Sequence, residues 1–123
     1  MNERGSVTVW MMGVAGLIVV MAGLAVDVWR LVDARERLAG RADAAAVAIA
    51  STIDSERWRS DGELVVDEGG CTRLDEPAMR SCVVDGDEVE VALSGRFELT
   101  VTRVLHPDPI EIRATAVARA VRP

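Results

Sequence analysis

The sequence predicts an α+β protein: one long N-terminal helix, transmembrane and then amphipathic, packs on a small C-terminal antiparallel sheet of three or four strands. Two observations carry this prediction. The 21 residues Ser6–Val26 include no Asp, Glu or Arg, and the C-terminal part of the chain alternates apolar with polar residues. The chain has 123 residues, which is the length of one domain.

The uncharged run has the length of a membrane-spanning helix. As an α-helix it would be about 31 Å long, against about 30 Å for the hydrocarbon core of a bilayer. Trp10 and Trp29 are spaced to lie at the two membrane interfaces. A cleaved secretory signal would need a shorter apolar core and a small-residue cleavage site. We therefore expect a short charged leader at 1–5 and a retained transmembrane helix at 6–26.

Small residues recur at seven-residue spacing within this helix. Such residues let a second helix approach closely, although Gly and Ala are also common in membrane helices for no such reason. The candidate helix-packing positions are Gly13, Gly16, Gly23, Ala15 and Ala22.

A helical period continues after the membrane run, and it predicts an amphipathic, Ala-rich helix in residues 27–53, continuous with the first helix to near Ala50. Its apolar stripe must lie against something, either the sheet of the same chain or neighbouring copies. The stripe comprises Leu31, Leu38, Ala42, Ala45, Ile49 and Ile53. The opposite side carries Arg30, Asp33, Arg37 and Arg41.

Residues 54–123 are expected to form a small antiparallel β domain outside the cytoplasm. Asp85-Gly86-Asp87 between two alternating segments predicts a tight hairpin, and Ser94-Gly95 predicts a second tight turn before a strand at 96–102. His106-Pro107 breaks the pattern, and alternation resumes from Ile110. A sheet with a single apolar face needs a cover, for which the amphipathic helix is the candidate.

Charge argues against a nucleic-acid partner. The net charge is −6, from 20 acidic residues and 14 basic ones, all of them Arg. Residues 54–98 concentrate the imbalance, because 13 acidic side chains there face five Arg. Such a surface repels a phosphate backbone.

The two cysteines, Cys71 and Cys82, allow one intramolecular disulfide. The alternative is a pair of free, buried thiols. A preceding membrane segment favours the disulfide, which would imply a compartment outside the cytoplasm.

We find no basis for an enzyme, a cofactor or a small-molecule substrate, and we predict no catalytic, cofactor-binding or metal-binding residue. The only histidine, His106, precedes a proline in a turn, and the common nucleotide, redox and zinc motifs are absent from the sequence. Asp85, Asp87 and Glu88 could offer oxygen atoms to Ca²⁺, but their spacing favours solvated turn acids. Asp27 could be an intramembrane functional acid, but its neighbours favour a residue that marks the membrane interface.

Three segments resemble the TadE/TadG-like proteins of bacterial Tad (Flp-type) pilus-assembly systems, in particular the short actinobacterial TadG-like form. The first is a charged leader ending in Gly5 before Ser6, and the second is an exit motif around Asp27, Trp29 and Arg30. The third is the continuation through Arg37-Leu38 and the Ala-rich stretch at Asp43.

The resemblance implies a single-pass bacterial membrane protein with a pilin-like fold, a C-terminal domain outside the cytoplasm and a minor-pilin-like or assembly role. Its partners would be lipid and other pilus-assembly proteins or pilin subunits, in a homo- or hetero-oligomer. A prepilin peptidase would cut between Gly5 and Ser6. Trp10 stands where pilins usually carry Glu, which leaves both the cleavage and entry into a filament open.

The distribution of arginines favours the opposite topology. Arg4 precedes the membrane run, whereas Arg30, Arg35, Arg37 and Arg41 follow it, and positive charge favours the cytoplasmic side. The alternative function is therefore a membrane regulatory subunit whose acidic cytoplasmic domain binds a basic protein. We place the domain outside because the cysteine pair and the resemblance agree.

Overall fold

The structure, a computed structural model that describes residues 3–121, confirms the α+β architecture with a three-stranded antiparallel sheet. The helices are α1 (Glu3–Ala50), α2 (Ser55–Asp61) and α3 (Gly70–Arg73). The strands are β1 (Met79–Asp85), β2 (Glu88–Phe97) and β3 (Ile110–Arg119), and a 3₁₀ turn spans Thr102–Val104.

Helix α1 has 48 residues and is therefore about 72 Å long. Its sequence contains no proline, and the most apolar 18-residue stretch of the helix is not buried against the rest of the described chain. Among the described residues this is the one helix long and apolar enough to cross a membrane.

The helix ends at Ala50, three residues before the boundary we placed at residue 53. Two hydroxyl groups take up carbonyls of its last turn: Ser51 Oγ donates to Ala48 O, and Thr52 Oγ1 donates to Ile49 O, both at 2.6 Å. Ile53 then forms a β-bridge with Val66. Ile53, the last residue of the predicted stripe, is therefore paired with Val66 and is not part of the helix.

The sheet has the order β1-β2-β3, with β2 in the centre. The predicted hairpin at 85–87 is confirmed, since Asp85 pairs with Glu88 and Gly86 adopts a φ of 63°, which a glycine reaches without strain. Strands β2 and β3 are paired without interruption from Glu88 with Arg119 to Phe97 with Ile110.

The predicted turn at Ser94-Gly95 is wrong. Both residues are inside β2 and pair with Arg113 and Ile112 of β3. Ser94 Oγ also accepts a hydrogen bond from Arg80 Nε at 2.6 Å. A continuous ladder with a neighbouring ten-residue strand outweighs the local turn preference of Ser-Gly. The segment we expected to form a further strand after this turn is instead mostly loop from Glu98 onward.

The second half of α1 covers one face of the sheet, so the partner of the predicted stripe is the chain's own sheet. The helix contributes small side chains, which let its backbone approach the strands closely. Its buried residues are Leu38, Ala42, Ala45, Ala46, Ile49 and Ala50. The sheet contributes Val89, Val91, Leu93, Ile112 and Ala116. Leu31, the first predicted stripe residue, is partly buried against this core.

Two short helices were not predicted. The Asp54 side chain caps α2 by accepting hydrogen bonds from the backbone N–H groups of Glu56 and Arg57, and Gly62 ends it at a φ of 66°. An Asp cap and a terminal glycine are the sequence signals of this helix. Helix α3 begins at the buried Gly70, where a Cβ would lie 2.7 Å from Thr52 Oγ1.

Cys71 and Cys82 form the predicted disulfide. It joins α3 to β1 across a sequence separation of 11. By the loop-entropy estimate, a link of this size stabilises a folded domain by about 3 kcal/mol. For a domain this small the link supplements a limited core.

The end of the sheet at the β1–β2 hairpin is closed by polar contacts. Arg119 Nε donates to Glu88 Oε2 at 2.7 Å, and this hydrogen bond raises the pKa of the Arg119 guanidinium above its usual value. The N–H of Ala120 donates to the carbonyl of Asp87 at 2.8 Å. We assign the exposed ion pair a minor share of the stability.

Candidate functional site

The β2–β3 connection, residues 98–109, reaches the middle of α1 and is called the docking loop below. Strand β2 runs along the helix so that its later residues approach the apolar first half of α1: Gly95 lies beside Leu38. The docking loop continues in that direction, and Thr100–Thr102 contact the helix at Asp27.

The Asp27 side chain is the centre of this contact and is only 2% exposed. Its Oδ1 accepts the backbone N–H of Thr100 at 3.1 Å. Its Oδ2 accepts the N–H groups of Val101 at 2.9 Å and Thr102 at 2.8 Å, as well as the Thr102 hydroxyl at 2.9 Å. Four donors therefore converge on one carboxylate.

The four hydrogen bonds offset the free-energy cost of burying the charged carboxylate. A carboxylate removed from water is stable only if hydrogen bonds replace its hydration, and a helix start leaves backbone N–H groups without partners. The 3₁₀ turn begins at Thr102, so Asp27 caps it from another element of the fold. The carboxylate of Asp27 therefore gives the loop N–H groups their acceptor, and these N–H groups give the carboxylate its donors.

Close packing next to Asp27 fixes the loop further. Gly23 lies one helical turn before Asp27, on the same face. A Cβ at Gly23 would be 2.7 Å from Val101 Cγ1, so the loop approaches the helix where a side chain is missing. One turn after Asp27, Arg30 donates to the Thr100 hydroxyl.

Residues 5–51 match the family model described as putative Flp pilus-assembly TadE/G-like. This segment of the chain is similar to the TadE/G-like family. The match covers nearly all of α1 and ends one residue after it, so the sheet lies outside it. A match to this family supports a pilus-assembly component. Comparisons with curated proteins and with solved structures found no match.

The other motif residues of the TadE/G-like helix have different environments. Trp29 is 70% exposed, while Leu38 is buried under the sheet. Arg37 pairs with Asp33 at 3.1 Å on the exposed side, and the Asp43 side chain is exposed.

The predicted packing residues divide into two groups. Gly13 and Gly16 have open space where a Cβ would be, and Ala15 and Ala22 are exposed. Gly23 instead contacts Val101 of the same chain, as described above. The predicted cleavage residues Gly5 and Ser6 lie in the first turns of α1.

Our interpretation of Asp27 as a residue that only marks the interface is wrong, because its side chain is buried and bound by the docking loop. The sequence did hold a signal. Asp27 directly follows a long uncharged run, and an acid in that position is expected to have a partner. The partner residues lie 73 to 75 positions later in the chain, so no periodic pattern in the sequence could identify them.

The remaining candidates are placed on the surface. His106 is exposed in the docking loop, and Asp85 and Asp87 are exposed at the hairpin, where Glu88 binds Arg119. Within residues 3–121 no group of three or more His, Cys, Asp or Glu is arranged to hold a metal ion.

The Asp27 contact predicts a specific change in hydrogen exchange. In Asp27→Asn the amide side chain offers one acceptor oxygen and places N–H groups against N–H donors. We expect amide exchange at residues 100–102 to accelerate on the order of tenfold or more, since hydrogen bonds to charged groups are among the stronger ones. Exchange mass spectrometry of the full chain in detergent measures this.

The matched control is Asp33→Asn, which removes a surface carboxylate six positions later on the same helix. It should leave exchange at 100–102 unchanged. Equal protection of those amides in wild type and Asp27→Asn would contradict the proposed cap.

Proposed function

We propose that this protein is a membrane-anchored component of a Flp-type pilus-assembly machinery with a minor-pilin-like role and no catalytic activity of its own. The observation that carries the proposal is that the TadE/G-like match coincides with one continuous helix, α1, whose first half suits a bilayer and whose second half is the core of a folded domain. Such a chain acts through what its helix and its domain contact.

Contacts within the membrane are expected on the face that the chain leaves open. Gly13 and Gly16 lie three positions apart and adjoin no other part of the described chain. Small residues in that arrangement allow close approach of a second helix, with Ala15 and Ala22 nearby. We assign this face to association with other pilus-assembly helices, and we assign Gly23 to the chain's own docking loop.

We place the sheet domain outside the cytoplasm of a bacterial cell. Support comes from the disulfide between Cys71 and Cys82, since disulfides persist in oxidising compartments. Three of the four arginines after the membrane run make contacts within the fold that do not depend on topology. Arg30 binds Thr100, Arg37 binds Asp33, and Arg41 binds Glu76.

The second candidate is a regulatory membrane subunit with an acidic cytoplasmic domain that binds a basic protein. The four arginines after the membrane run favour it. This candidate predicts reduced cysteines in native membranes and binding to the partner that weakens as salt rises.

The pilus role predicts a loss of surface pili when the gene is deleted, with recovery on expression of the wild-type chain. Gly16→Leu should restore pili poorly, at equal protein level, because Leu fills the open face. Ile18→Leu, at an exposed position on the opposite side of the helix, should restore them like the wild type. Electron microscopy counts the pili. Normal piliation of the deletion strain would refute the proposed role.

A sheet domain outside the cytoplasm predicts that both cysteines are oxidised and therefore protected from alkylation. Intact mass of the protein from native membranes, with alkylation before and after reduction, should give a species in which Cys71 and Cys82 react only after reduction. Loss of residues 1–5 in the same spectrum would indicate cleavage between Gly5 and Ser6. Freely alkylated thiols in native membranes would instead favour the cytoplasmic candidate.

A further inference from the structure

The docking loop carries the most exposed large apolar side chains in the described part of the protein. Val104 is 91% exposed and Leu105 is 87% exposed. They are adjacent in sequence and follow the 3₁₀ turn that Asp27 caps. An apolar pair held on an ordered turn, with so much of its surface uncovered, indicates a partner outside the chain.

The level of the loop along α1 identifies that partner as lipid. Val101 packs on Gly23, which belongs to the uncharged run 6–26. Gly23 lies three residues before the end of that run, or about 5 Å inside it along the axis. With its backbone bonded to Asp27, the loop is therefore held where the helix passes from hydrocarbon to headgroups.

Charge agrees with this position. Residues 54–98 carry 13 acidic side chains; in the docking loop the two acids, Glu98 and Asp108, lie near its ends, and residues 99–107 between them carry none. The same stretch has Arg103, whose side chain is exposed next to Val104. Anionic headgroups repel an acidic surface and attract a basic one, so this loop is the part of the sheet domain suited to approach them.

We propose that the docking loop is a second membrane attachment, in which Val104 and Leu105 insert into the interfacial region of the leaflet from which α1 emerges. Trp29, 70% exposed on the adjoining turn of the helix, sits at the same interface. Apolar side chains on an interfacial segment bind by transfer from water to the acyl boundary, and a neighbouring cation adds attraction to phosphates.

This attachment gives the Asp27 contact a second consequence. A free carboxylate at the edge of the hydrocarbon would be costly, and so would three backbone N–H groups without partners. Because each satisfies the other, the loop can lie at this depth. Helix and loop then hold the sheet domain to the membrane at two points, which limits its tilt about the helix exit.

Depth-dependent fluorescence quenching tests the proposal on the full chain. In a background with Trp10, Trp29 and Trp58 replaced by Phe, a single tryptophan is introduced as Val104→Trp. The protein is reconstituted into vesicles of phosphatidylethanolamine and phosphatidylglycerol whose acyl chains carry bromine near the headgroups. Bromine quenches only a tryptophan that reaches the lipid.

Two control variants bracket the result. Val19→Trp lies within the membrane run and should be quenched; Val83→Trp, at a 57% exposed position on β1, should not. We expect Val104→Trp to lose a fraction of its emission comparable with Val19→Trp, with a blue-shifted spectrum. The loss should not change when the protein is diluted with lipid.

Emission of Val104→Trp that stays red-shifted and unquenched, like that of Val83→Trp, overturns the proposal. A blue shift that appears without quenching and fades on dilution with lipid also overturns it, because the apolar pair would then contact another protein chain. Loss of quenching in Val19→Trp as well would refute the membrane-spanning helix itself. The first two outcomes are independent of the pilus role, whereas the third would also contradict the membrane anchor on which that role rests.

Discussion

The position of the docking loop on the helix depends on one carboxylate. Asp27 accepts three consecutive backbone N–H groups from a loop more than 70 residues away, and it does so at the end of an uncharged helix. Water is scarce at that level, so neither the charge nor the N–H groups have another good partner. The constraint is mutual: the helix can carry an acid there because the loop is docked, and the loop can dock because the acid is present.

The remainder of the domain depends on the same helix. A three-stranded sheet with one apolar face has little stability alone, and α1 supplies its cover with residues as small as Ala42 and Ala46. The disulfide and the close approach at Gly70 secure the end of the domain farthest from Asp27. The helix that we propose as the membrane anchor is thus also part of the domain core, so a rotation of the helix in the bilayer would turn the domain with it.

Properties that follow from short-range pattern were predictable from the sequence. The uncharged run, the apolar stripe around Leu38 and Ala42, and the alternation of β3 each depend on residues a few positions apart. The predicted turn at Ser94-Gly95 was wrong because these residues pair with β3, which is distant in the sequence. The role of Asp27 was not predicted for the same reason. The carboxylate at this position indicated that it has a partner. That partner is a set of backbone N–H groups, which every residue except proline has, so the sequence does not identify which of them the fold brings next to Asp27.

The account is tested most directly by measuring the contact at Asp27 in a bilayer. Solid-state NMR can detect dipolar coupling between the carboxyl carbon of Asp27 and the amide nitrogens of Thr100 and Thr102 in the full-length protein. We predict strong coupling to both, as expected for nitrogen-to-oxygen distances of 3.1 and 2.8 Å. Absence of coupling to either nitrogen, with the sheet otherwise folded, would mean that the domain is not docked on the helix exit and would contradict the account.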